Sequence, residues 1–152
     1  MRIADFLHEQ RIIPELKSND KKGVIEELSR AVADTTDAAV RDIARVLLER
    51  EQLGSTGIGG GIAIPHGKLK EIDSIIMAVG LKSRGIEYDS LDNKPVYIFF
   101  LLLTPENSTG GHLKVLAQIS KLLKSSSFKN DLKKAGTRRE VMDVILAVDE
   151  NF

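Results

Sequence analysis

The apolar positions of this chain change period as one reads along it. Ile3, Phe6 and Leu7 share a short helical face, and the pair Ile12-Ile13 precedes Pro14, which disfavours helix in the residue before it. Val24, Ile25, Leu28, Ala31 and Val32 then recur at spacings of three and four, as do Val40, Ile43, Ala44, Leu47 and Leu48. The pattern predicts that the first 53 residues are helical. Asn19 is the expected N-cap of one helix, and Thr36 or Asp37 of the next. From Gly54 the texture changes. Five glycines fall in the eight residues Gly54 to Gly61, which predicts an irregular loop.

Three short apolar runs follow, Ile62 to Ile64, Ile75 to Leu81 and Val96 to Leu103, each bounded by turn residues and each expected to be a strand. The last two are continuous, which predicts burial on both faces. Gly85 to Tyr88 is a candidate edge strand, and Thr104 to Gly111 a second loop. Helical spacing resumes at His112 with Leu113, Leu116, Ala117, Ile119, Leu122 and Leu123, followed by shorter helices over Phe128 to Ala135 and Arg138 to Val148. Helices before and after a strand-rich middle imply helices on both faces of one sheet. With no repeat and no linker, residues 1–152 read as a single domain.

Composition narrows the chemistry. Lys plus Arg and Asp plus Glu are 22 each, so the net charge is zero, which argues against a broadly basic nucleic-acid surface. Without Trp, and with two Tyr and five Phe, a base-stacking platform is also poorly supplied. Absence of Cys excludes disulfides, zinc-thiolate sites and a thiol nucleophile. Asp5 and Glu9 interrupt the N-terminus before any apolar run forms, so no secretory signal is read there. The longest apolar run, Val96 to Leu103, is far short of a membrane helix. A soluble, cytoplasmic protein is the expectation.

Three histidines carry the candidate chemistry: His8, His66 and His112. His8 lies in the first amphipathic segment with no notable neighbours. His66 lies at the end of an expected strand, between Pro65, which fixes its own φ, and Gly67, which admits close approach of another backbone. It is either a side chain presented for function or a histidine satisfied in a strand-end turn. The glycine run fails the dinucleotide fingerprint, because Ile62 and Ile64 occupy the required small positions, and Gly67-Lys68-Leu69 fails the Walker pattern at both ends. With Ser55, Thr56 and Gly57 it is either an anion cradle or a surface turn. His112 opens a helix after Gly110-Gly111, where the dipole attracts phosphate. His66 and His112 lack a third ligand, so no metal and no cofactor are expected.

Arg50-Glu51 with Gly54-Ser55-Thr56-Gly57-Ile58-Gly59 and Ile62-Ala63-Ile64-Pro65-His66-Gly67-Lys68 resembles the enzyme IIA domain of the bacterial phosphotransferase system, of the fructose, mannitol and nitrogen-regulatory type. Phe99 to Glu106, leading to His112-Leu113-Lys114-Val115-Leu116-Ala117, resembles the second motif, and the likeness runs from Met1 to Val148. It implies an α+β fold, a three-layer α/β/α arrangement with a mixed central sheet. It implies that His66 accepts a phosphoryl group at Nε2 from the phosphocarrier HPr, that His112 supports it and that Arg50 helps hold the phosphoryl group. Passage to an enzyme IIB cysteine, or retention as a regulatory mark, would follow. The free-standing chain and the stretch Arg50 to Gly59 resemble the nitrogen-regulatory branch most. A sugar-transport IIA of the fructose or mannitol class is the alternative, and a phosphate-independent regulatory binding protein is a third.

Overall fold

The structure is a computed structural model and describes residues 2–108 and 110–149, without the side chains of residues 111 and 112. The elements in chain order are β1 (Leu7–Ile13), α1 (Lys21–Ala33), α2 (Val40–Gln52), β2 (Gly57–Gly59), β3 (Ile62–Ala63), β4 (His66–Leu69), β5 (Ile76–Ile86), β6 (Val96–Pro105), α3 (Gly111–Leu122), α4 (Ser126–Lys134) and α5 (Arg138–Asp149). The strands form one mixed sheet in the order β1-β5-β6-β3-β2, with β4 also paired to β6. Among the described residues, β5–β6 and β2–β3 are the antiparallel pairs and the rest are parallel.

The two long apolar runs are the central strands, and the pleat divides their side chains between two cores. Met77, Val79, Ile98, Phe100 and Leu102 share a core with Val115, Ile119, Phe128, Leu132 and Ile145 of the C-terminal helices. Ile76, Ala78, Phe99, Leu101 and Leu103 share the other with Val24, Leu28, Ile43 and Leu47 of α1 and α2. Helices therefore cover both faces, in the expected three layers. Among the described residues no helix is long and apolar enough to cross a membrane.

Five local expectations are corrected. The N-terminal segment is not helical throughout: a 3-10 turn at Ile3–Asp5 leads into β1, which pairs in parallel with β5. The register shifts between Leu7 and Ile12, so buried positions there lose the strand's period of two and imitate helical spacing. Arg11, buried at that irregularity, donates to Thr35 Oγ1 and to the carbonyls of Phe6 and Met77. The N-cap of α1 is Asp20 rather than Asn19, with Asp20 Oδ1 accepting from Gly23 N at 2.8 Å. Neither Thr36 nor Asp37 caps α2, which starts at Val40; Thr36 Oγ1 instead donates to Val32 O at 3.0 Å, closing α1.

Lastly, the glycine run is not wholly irregular. Gly57–Gly59 pairs with Ile62–Ala63 as a hairpin, turned by Gly60 and Gly61 at φ 69° and 81°. Two consecutive positive φ values are what a tight hairpin turn of the right twist requires, and glycine supplies them without strain. Gly85-Ile86, expected in a separate edge strand, belongs to β5.

Candidate phosphoryl-accepting site

The site is built where two short strands meet one long one. β3 and β4 both pair in parallel with β6, at Ala63↔Phe99 and then His66↔Leu102. Between them Pro65 has no N–H to give the ladder, while its carbonyl accepts from Leu102 N at 2.9 Å. The break thus falls before His66, which opens β4 instead of closing the preceding strand. The Ile64-Pro65 corner turns the Ile64 carbonyl toward the imidazole, and His66 Nδ1 lies 2.8 Å from that oxygen. A carbonyl can only accept, so Nδ1 carries the proton and Nε2 the basic lone pair.

The backbone that Gly67 admits within this chain is that of α2. A Cβ at this position would stand 2.6 Å from Val46 Cγ1. The close approach sets the C-terminal turn of α2 beside β4. Arg50, Val46, Glu49 and Leu53 then line one open groove of ≈ 520 Å³ with His66, Gly67 and Lys68. Arg50 Nη1 donates to Gly54 O at 2.9 Å, which orients the guanidinium. Gly67→Ala should destabilise the protein by about 1–3 kcal/mol, the usual cost of overpacking. Adding Val46→Ala should recover most of that loss in a denaturant-unfolding double-mutant cycle; simple additivity would show that the contact does not set the approach.

His66 is half-buried, and its pKa lies below the ordinary histidine value. Burial is the main cause, opposed by the bond to the Ile64 carbonyl; the Arg50 cation lowers it further and the Glu51 charge raises it. A lowered value keeps the ring neutral, hence nucleophilic, near neutral pH. The same sign makes protonation unfavourable to the fold: stability from this group is present above the unfolded value of about 6.5 and falls away as pH drops through the lower folded value. Arg50→Gln should raise the His66 pKa, read by an NMR titration of its ring protons. A value unchanged or lowered would show that the guanidinium does not act on this ring.

The loop residues expected to cradle an anion are turned inward. Ser55 Oγ donates to Tyr88 O at 3.2 Å and accepts from Gly57 N at 3.1 Å. Thr56 and Gly57 are buried. Thr56 Oγ1 donates to Glu51 Oε2 and lies 3.2 Å from Tyr88 Oη. His112 is the second residue of α3, so its backbone is at the helix start as expected; its side chain lies outside the described residues. His8 is exposed on β1, away from this groove. Among the described residues no three His, Asp or Glu side chains gather as a metal site.

Sequence reasoning missed a buried polar cluster beneath the loop. Glu51 accepts from Thr56 N at 3.1 Å and from Tyr88 Oη at 3.3 Å, and pairs with Lys21 Nζ at 2.8 Å. Lys21 Nζ also stands 4.7 Å from the Tyr88 ring centroid. Burial first, and the Glu51 charge second, push the Tyr88 hydroxyl far above the ordinary tyrosine pKa. The legible signal was Glu51 itself, which stands four residues after Leu47 on the buried stripe of α2.

The family described as "Phosphoenolpyruvate-dependent sugar phosphotransferase system, EIIA 2" matches residues 5–148, and the chain belongs to that family. It is 38% identical over 145 residues to a nitrogen regulatory protein of Bradyrhizobium diazoefficiens, covering 95% of each chain. It is 31% identical over 146 residues to the fructose-specific EIIABC component of Bacillus subtilis, covering 95% of this chain and 23% of that one. The crystal structure of nitrogen regulatory protein IIA-Ntr from Neisseria meningitidis superposes with a TM-score of 0.88 at 31% identity, over 94% of this chain and 98% of that one.

Proposed function

We propose that this protein is a histidine phosphocarrier of the nitrogen-regulatory type, taking a phosphoryl group from an HPr-like carrier onto Nε2 of His66. The observation that carries the reading is the 2.8 Å contact of His66 Nδ1 with the Ile64 carbonyl, which supports a proton on Nδ1 and a lone pair for attack on Nε2. In the transfer, the donor's P–N bond breaks as a P–Nε2 bond forms, and the donor histidine leaves with its lone pair restored. Arg50, in the same groove, supplies positive charge for the phosphoryl oxygens. His112, at the start of α3, is assigned the supporting role of hydrogen-bond donor to those oxygens. The exposed Leu53 beside the groove gives a carrier an apolar contact. No cofactor enters the scheme.

Incubation with a phosphorylated HPr-like protein should add one phosphoryl group, acid-labile and alkali-stable, mapped by mass spectrometry to His66. Uptake at another residue, or none, would overturn the assignment. The fructose-specific relative favours a second reading, a sugar-transport IIA that hands the group to an enzyme IIB cysteine. Rapid loss of label to a IIB domain would support that reading. Stable retention in its presence supports regulation.

A further inference from the structure

The buried cluster under the glycine hairpin is joined to the acceptor imidazole by an unbroken run of hydrogen bonds. Glu51 Oε1 accepts from Thr56 N at 3.1 Å. Thr56 O accepts from Ile64 N at 3.0 Å. Ile64 O accepts from His66 Nδ1 at 2.8 Å. Glu51 is itself held by Lys21 Nζ at 2.8 Å and Tyr88 Oη at 3.3 Å, and it is buried, so it has little freedom to swing.

We propose that Glu51 is a positioning residue for phosphoryl acceptance: through Thr56 and the Ile64 peptide it sets the carbonyl that fixes the tautomer of His66. The catalytic part of this statement rests on the function proposed above; the positional part does not. The Ile64 carbonyl precedes a proline, so no helix or long strand immobilises it. Its own residue is anchored on the N–H side by Thr56, and Thr56 is anchored on both its N–H and its hydroxyl by Glu51. A carbonyl turned away, or moved beyond ordinary hydrogen-bond reach of Nδ1, would release that bond and let the proton occupy Nε2, the atom that must attack. Two neutral tautomers in solution differ little in free energy, so a single well-placed acceptor is enough to select one.

Two mild variants separate position from charge. Glu51→Gln keeps the length and one acceptor oxygen for Thr56 N but removes the charge facing Lys21. Glu51→Asp keeps the charge but is one methylene too short to hold Thr56 while paired with Lys21. The ¹⁵N shifts of the His66 ring report the tautomer without any phosphate donor. Glu51→Asp should show a mixed tautomer and phosphoryl uptake slowed more than about tenfold, whereas Glu51→Gln should keep the Nδ1–H form and lose less of the rate than Glu51→Asp. The reverse ranking, or wild-type tautomer and rate in both proteins, would overturn the inference. Should the wild type take up no phosphate, the proposed function fails, and the ring ¹⁵N shifts still decide whether Glu51 sets the tautomer.

Discussion

His66→Ala should take up no phosphoryl group at all from an HPr-like donor, and none should reappear on His112. Acceptance needs an imidazole nitrogen with its lone pair presented to the carrier, and among the described residues lining the groove beside Arg50 that ring is His66. His66 is only half-buried and opens a strand whose partner β6 is held on its other edge by β5, so its truncation leaves the sheet intact. A folded, amide-dispersed NMR spectrum with no phosphoryl mass increment is the expected pair of results. His112→Ala provides the contrast. Removing one donor to a developing anion costs about 10²–10³ in rate. That variant should therefore label slowly, on His66, and to completion. Label on His112 in the His66→Ala protein, or no label on His66 in the His112→Ala protein, would overturn the assigned roles.

Glu51→Ala should be the most destabilising single change at the site, by about 3–5 kcal/mol, the range for removing one partner of a buried ion pair. The lost contacts are specific. Lys21 Nζ loses its 2.8 Å counter-ion, Thr56 loses the acceptor of both its N–H and its hydroxyl, and the Tyr88 hydroxyl loses a partner in a site closed to water. Each stranded buried donor carries its own desolvation cost of about 1–3 kcal/mol. Lys21 can still reach water in part, since its side chain is 20% exposed, which keeps the total below the sum of those costs. Urea unfolding should show a lower midpoint at unchanged slope. A loss below about 1 kcal/mol would mean that the cluster contributes little beyond filling space.

These two residues stand at opposite ends of what could be read in advance. His66 was legible because its neighbours are unusual: a proline before it and a glycine after it, following a short apolar run, mark a presented side chain. Arg50 was found by resemblance alone, since nothing in helical spacing distinguishes it from any other arginine on a helix. Glu51 was passed over although it occupies a buried position of α2, because a carboxylate on an apolar stripe has meaning only once its cation and its hydroxyls are brought to it. They come from residues 21, 56 and 88, which no local pattern connects.

What the sequence by itself determined is what depends on neighbours along the chain. The continuous runs Ile75 to Leu81 and Val96 to Leu103 had to be central strands, because a sheet covered on both faces buries nearly all of such a run. The spacing of Val24, Leu28, Ile43 and Leu47 had to place helices against it. The tertiary structure alone decided what depends on partners remote in the chain. Residues 7–13 became a strand because the open edge of β5 offered a ladder of hydrogen bonds that outweighed a short helical pattern. The glycine run became a hairpin because Ile62 and Ala63 were already held by β6. The tautomer of His66 was settled by the direction of one carbonyl, and that direction follows from contacts reaching back to Glu51.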